Sequence, residues 1–234
     1  MSYPDRFFID GEWVAASSGA TISVTSPSTE EHFVTVAEAQ AEDINRAVAA
    51  ARSAFDRGPW PRMSHVERAA YLNAAAALLS RRMDQATHNW TSQMGIVHVQ
   101  AQAMANALPG ALRYYAGLAE EYPFVEPAQG QDPLRQAFIV REPVGVAGLI
   151  IPWNAPLHLL VYKMAPALLA GCTVIVKNSP ETPLEGYLMA EIMEEIGLPK
   201  GVFNVVTAQR EVSELLVRHP EVDKISFTGS TAAG

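Results

Sequence analysis

Two residues in the second half of the chain have the type and position to act on a ligand. Asn154 closes the run Ile151-Pro152-Trp153-Asn154, and Lys177 closes Thr173-Val174-Ile175-Val176-Lys177. A carboxamide can donate to an oxyanion developing on a carbonyl. A lysine ammonium can hydrogen-bond ribose hydroxyls or hold a phosphate. Each has a plain alternative. Asn154 could cap a following helix with Pro156 in its first turn, and spacing alone leans that way. Lys177 could be a solvated lysine at a strand end. A third stretch, Gly229-Ser230-Thr231-Ala232-Ala233-Gly234, departs from the dinucleotide pattern G-x-G-x-x-G. Placed between a strand and a helix start, its amides would still attract phosphate; otherwise it is an ordinary strand-to-helix turn.

Other candidates fare worse. Cys172 is the only thiol. It opens its strand, at the edge opposite Lys177, and alternation puts it on the face of Val174 and Val176. It therefore reads as a buried packing cysteine and not as a nucleophile. The histidines at 32, 65, 88, 98, 158 and 219 show no ligand spacing, so no metal site is expected. Glu191, Glu194 and Glu195 read as a solvated helix face, and no serine sits in a G-x-S-x-G context.

The elements that would position Asn154 and Lys177 follow from the apolar pattern. Residues 144–151 form a short, nearly continuous apolar run, as a strand buried on both faces does, and Pro152 stops it. Residues 157–170 are apolar around most of a helical circumference and end at Gly171; residues 172–177 are the next strand. The alternation continues with helices expected at 183–196 and 211–217 and strands at 202–206 and 224–228. Parallel strands joined by right-handed helical crossovers make a doubly wound α/β sheet. Ligands bind at the carboxyl edge of such sheets, which is where residues 152–154 and 177–182 fall.

The first half reads as an N-terminal layer. Asp10-Gly11 between β-prone runs predicts a hairpin with a type I′ turn. A loop at 26–28 and a strand at 33–36 follow. Ile44, Val48, Ala51 and Phe55 recur at helical spacing, so a helix begins at Asp43 and breaks at Pro59-Trp60-Pro61. Ser64 and Glu67 make a capping box, and the helix behind them buries Ala69, Leu72, Ala76, Leu79 and Met83. Residues 85–120 are helical with a weaker pattern, interrupted at Pro109-Gly110. A loop at 126–133 precedes a strand at 134–141, half of a two-stranded excursion from the main sheet.

Composition narrows the function classes. The 234 residues are 49% hydrophobic and 18% charged, a globular balance. A net charge of -8 disfavours nucleic acid as a partner. No membrane span and no secretory leader are expected: Lys163 interrupts the best apolar stretch, and the first residues lack a basic region before an apolar one. A single cysteine fits a reducing cytoplasm.

Taken together, Phe8-Ile9-Asp10-Gly11-Glu12-Trp13, Ile151-Pro152-Trp153-Asn154, Lys163-Met164-Ala165-Pro166-Ala167-Leu168, Gly171 through Lys177, Thr182-Pro183-Leu184 and Phe227-Thr228-Gly229-Ser230-Thr231 stand in a fixed order. In that order the chain resembles the first half of the NAD(P)-dependent aldehyde dehydrogenases. The resemblance implies that a small aldehyde is oxidised through a thiohemiacetal on a cysteine and that NAD or NADP takes the hydride. It implies a Rossmann variant with an N-terminal helical layer. Asn154 then matches the oxyanion donor and Lys177 the residue that binds the adenosine ribose. Ile151, Pro152 and Trp153 match the strand end lining the cofactor cleft, and Phe227, Gly229 and Ser230 match the pyrophosphate turn. The implied division is 1–124 for the N-terminal part of the cofactor domain, 125–142 for an oligomerisation segment and 143–234 for the dinucleotide-binding core. A homodimer or homotetramer is implied.

Three departures from the family pattern matter. Pro180 stands where a glutamate often grips the ribose 2′-hydroxyl, with Glu181 next to it. Ser213 stands where a glycine lies beside the cofactor, and its hydroxymethyl group would crowd the adenosine. The nucleophilic cysteine and general-base glutamate of the family would lie beyond residue 234. The competing readings are a non-catalytic nucleotide-binding or assembly module, and a fragment completed by another chain.

Overall fold

A computed structural model describes residues 3–130, 135–232 and 234. Among them, a six-stranded sheet runs in the order β10 (Lys224–Phe227), β7 (Val146–Ile150), β8 (Thr173–Asn178), β9 (Phe203–Thr207), β1 (Arg6–Ile9) and β2 (Glu12–Ala15). The first four are parallel, and the β1–β2 hairpin adds an antiparallel flank through Phe8 against Val205. Asp10 and Gly11 both have positive φ (55° and 73°), as a type I′ turn requires.

The parallel strands are buried on both faces, which explains their unbroken apolar runs. Ala147, Leu149, Val174, Val176, Phe203 and Val205 point under α2 (His65–Arg81), α5 (Leu108–Glu121), α6 (Pro156–Ala170) and α7 (Leu184–Glu195). Val146, Ile150, Ile175 and Val206 point the other way, under α1 (Ala41–Arg57) and α8 (Arg210–Arg218). This is the doubly wound arrangement that the alternation of elements predicts. Every strand and helix expected between residues 144 and 228 is present within two residues of its expected ends.

The N-terminal layer departs in detail. The helix expected from Asp43 starts earlier, because Gln40 is the N-cap and the buried Asp43 carboxylate accepts from the Gln40 amide at 2.9 Å. Asp43 also takes the Ser17 amide (3.0 Å) and hydroxyl (2.7 Å). The Ser64–Glu67 capping box forms as expected, but the helix behind it ends at Arg81 and Met83 opens α3 (Met83–Met94). The expected helical region 85–120 is thus three helices, α3, α4 (His98–Ala105) and α5, and Pro109 lies in the first turn of α5, where its missing amide costs nothing.

Two short strands escaped the sequence pattern. β3 (Thr21–Thr25) pairs with β4 (His32–Ala37), the strand expected at 33–36. β5 (Val125–Ala128) lies where a loop was expected and pairs antiparallel with β6 (Ala137–Val140), so the two-stranded excursion has both halves. The expected strand start at Leu134 lies outside the described residues.

Candidate functional site

Parallel register brings one row of side chains to the carboxyl edge of the sheet. Phe227 pairs with Ile150, Ile150 with Lys177, and Lys177 with Val206. Beyond that row the chain turns away from every strand, and two cavities open. The larger, about 760 Å³, lies between Lys177, Ser179, Pro180 and Glu181 on one side and Gln209, Arg210, Ser213 and Glu214 on the other. The smaller, about 410 Å³, lies between residues 151–154 and the Thr228-Gly229-Ser230 turn. Ile150, Lys177, Ser179, Phe227 and Ser230 line both, so the two are lobes of one cleft. Each candidate residue from the sequence lines one lobe or the other.

Lys177 forms the partition. It is only 7% exposed, so its stem is enclosed and what remains accessible lies in the cleft. Its backbone carbonyl accepts from Ile151 at 3.3 Å, while its ammonium has no hydrogen-bond partner among the described residues. Burial pulls its pKa below the ordinary lysine range, and the nearby Glu181 carboxylate offsets part of that. The ammonium's N–H donors are thus left to whatever occupies the cleft, water or a ligand. Glu181 itself accepts from the Ser179 hydroxyl, which turns it toward the start of its own loop.

Asn154 does not cap α6. The N-cap is Ala155, which makes no side-chain capping bond, and Pro156 occupies the first turn as expected. The Asn154 side chain is exposed at the mouth of the smaller lobe. Its backbone carbonyl is held from outside the sheet: the Trp90 indole N–H of α3 donates to it at 3.0 Å.

Ser213 is buried on α8, and its hydroxyl donates back to the Gln209 carbonyl at 2.6 Å. The hydroxyl is thereby satisfied within the helix while the residue still lines the larger lobe. Gly229 lies against the exposed Phe227 ring, and a Cβ there would lie 2.4 Å from the ring tip unless the ring moved. The turn closes with the Gly234 amide on the Ser230 carbonyl at 3.2 Å.

Sequence reasoning missed Ile150, Gln209 and Arg210, and it included Ser179 only within the stretch 177–182. Ile150 was missed by one position, since aligning the expected strand ends at 151 and 177 sets Ile151 beside Lys177, whereas the register sets Ile150 there. Arg210 was not recoverable, because nothing local says that the first turn of α8 overhangs β8. Cys172 is buried at the amino end of β8, opposite the cleft. Among the described residues no three His, Cys, Asp or Glu gather as a metal site needs, and no helix is long and apolar enough to cross a membrane.

The fold and cleft have close counterparts. The sequence profile of the aldehyde dehydrogenase family matches residues 13–234. This chain belongs to that family. It is 42% identical over 98% of its length to a geranial dehydrogenase of Castellaniella defragrans, and equally to a mitochondrial benzaldehyde dehydrogenase of Antirrhinum majus. The crystal structure of a Mycobacterium tuberculosis aldehyde dehydrogenase with NAD+ superposes with a TM-score of 0.94 at 42% identity, over 99% of this chain. The chain spans about half the length of these relatives, 48%, 43% and 48% respectively.

Proposed function

We propose that the two-lobed cleft binds NAD or NADP and that this chain forms the cofactor-binding half of an enzyme that oxidises a small aldehyde to its acid. The observation that carries the reading is Lys177, whose stem is enclosed while its ammonium, without a hydrogen-bond partner among the described residues, lines both lobes. Its three N–H donors suit ribose hydroxyls. The amides around Gly229 and Ser230 would take the pyrophosphate, while Ile151, Pro152, Trp153 and Phe227 line the way to Asn154. The bound dinucleotide supplies the hydride acceptor. The Asn154 carboxamide would donate to the oxygen of an aldehyde attacked by a thiolate outside residues 1–234. Residues 1–234 contain one cysteine, buried at the far edge, so by themselves they would bind without turnover.

The choice of dinucleotide follows from Pro180, Glu181 and Arg210. Pro180 offers no carboxylate to grip a 2′-hydroxyl or repel a 2′-phosphate. Arg210, exposed in the first turn of α8 beside the same lobe, has no ion-pair partner among the described residues. Lys177 and Arg210 together would tolerate a phosphate there. Titration of the complete enzyme with NAD+ and NADP+ at low and high salt tests this. Both should bind, and NADP+ should lose more affinity as salt rises. A strong preference for NAD+ at every salt concentration would count against it and assign the ribose to Glu181.

The β5–β6 ribbon exposes Val125, Phe138, Ile139 and Val140. We place residues 125–142 in the contact between subunits of a homodimer or homotetramer, with 1–124 and 143–234 as the two parts of the cofactor domain. The free thiol fits a cytoplasmic setting.

A further inference from the structure

The geometry points to Trp90 as a positioning residue for the oxyanion donor, an inference that rests on the role proposed for Asn154. Residues 152–154 carry the donor, yet almost nothing fixes them. Pro152 has no N–H to give, and the N-cap of α6 makes no side-chain bond. Among the described residues, the bond from the Trp90 indole to the Asn154 carbonyl is the one hydrogen bond made by any atom of this segment. It spans 64 residues of sequence and joins the helical layer to the cleft.

The donor is itself well held. Trp90 is 3% exposed, and its ring lies 5.0 Å from the His158 ring of α6. His158 contacts the Met104 carbonyl through Nε2 at 3.1 Å, which ties that ring to the end of α4. A rigid indole thus pins the carbonyl that follows the Asn154 Cα and with it the Cα–C bond, one of the two backbone bonds from which the Asn154 side chain departs. Stabilisation of an oxyanion depends on a donor that is already aimed before the charge develops. A turn held by this bond is aimed; without it the turn is free to rotate about residues 152–155. Packing alone would need only an apolar ring at position 90 and would make no use of its N–H.

The test separates the N–H from the ring. In the complete enzyme, Trp90→Phe, Asn154→Ala and the double variant are compared for kcat, with the dinucleotide dissociation constant measured in parallel. Trp90→Phe is expected to lower kcat about three- to ten-fold, the reach of one neutral hydrogen bond, with dinucleotide affinity unchanged. In the Asn154→Ala background the same change should have no further effect on kcat, because the group it aims is gone. Benzothienylalanine at position 90, which keeps the bicyclic ring and puts sulfur in place of the N–H, should reproduce the loss even if Trp90→Phe folds poorly. Wild-type kcat in the benzothienyl variant, or an equal loss with and without Asn154, would overturn the proposal. If Asn154→Ala itself leaves kcat unchanged, the oxyanion reading fails first and this inference with it; if only the position-90 variants are silent, the inference fails alone.

Discussion

The two ends of the parallel sheet both bury a cation, and they treat it in opposite ways. At the amino end Arg68 is 2% exposed and its guanidinium is spent on carbonyls: Leu169 at 2.8 Å, Trp60 at 3.3 Å, and Met63. Leu169 is in the last turn of α6, so Arg68 satisfies an orphan carbonyl where the helix dipole is negative. Nearby, the Asp223 carboxylate accepts the Val146 amide at 2.7 Å and pairs with Arg52 at 2.8 Å. At the carboxyl end Lys177 is almost as buried, but its ammonium meets no acceptor among the described residues, and the Asn154 side chain stands exposed beside it. Burial therefore does not tell the two cations apart; hydrogen bonding to the protein does. Arg68 is held by carbonyls of its own chain, and the Lys177 ammonium is left to the cleft.

The comparison breaks most visibly at Asn154. In the complete enzyme Asn154→Ala should cost about 10²–10³ in kcat, the usual penalty for losing an oxyanion donor, and leave the melting temperature where it was, since the side chain caps nothing. A fall in stability with little loss of rate would make Asn154 structural after all. At the other end Arg68→Met should do the reverse. Three carbonyls lose a charged donor, so chemical denaturation should show a loss of about 3 kcal/mol or more, while the folded fraction binds dinucleotide normally.

Lys177→Ala sharpens the contrast between the two cations. It should weaken dinucleotide binding in the complete enzyme by about 1.5–3 kcal/mol, as for a hydrogen bond involving a charged group, with thermal stability little changed, since the ammonium makes no hydrogen bond within the described residues. Equal affinity in a calorimetric titration would remove Lys177 from the site.

The smallest effect concerns Glu185, which lies behind the cleft loop at the start of α7. It is fully buried; burial pushes its carboxyl from 4.5 up to about 8, and the Gln93 side chain donates to it at 2.9 Å. Between those pH values the unfolded chain has released this proton and the folded chain has kept it. The group's contribution is therefore complete below about pH 4.5 and is lost as pH rises to about 8. Glu185→Gln should flatten the melting temperature against pH across that window; an unaltered slope would assign the dependence to another group.

What the sequence showed of this arrangement depended on whether the signal was local. The parallel core was legible because strands buried on both faces, helix-ending glycines and Pro152 write their positions into the chain itself. The type I′ turn at Asp10-Gly11 and the Ser64–Glu67 box were legible for the same reason. β3 and β5 were not, since their outer residues are exposed and five or fewer residues give too little alternation. The break between α4 and α5, at Asn106-Ala107, was hidden by alanine, which favours helix on every face. The break after α3 carries its own signal in Gly95, a left-handed C-cap that sequence reasoning passed over. At the site, residue types and strand ends pointed to Asn154 and Lys177. They left open whether Asn154 caps α6 and whether the Lys177 stem is enclosed, because both depend on how the chain folds around the strand ends: the N-cap falls on Ala155, and Lys177 sits inside the cleft. Arg210 was illegible for that reason too.

The central claim is that chemistry belongs to the carboxyl edge of the sheet and that the amino edge, with the one thiol of residues 1–234, is inert. It is tested most directly by NAD(P)H production from a panel of aldehydes, comparing wild type with Cys172→Ala. The comparison is made both in residues 1–234 alone and in the complete enzyme. The account predicts no turnover from residues 1–234 in either form, and turnover by the complete enzyme that is undiminished by Cys172→Ala. Turnover by residues 1–234 that vanishes in the Cys172→Ala variant would contradict it, and would move the reacting thiol to the edge described here as structural.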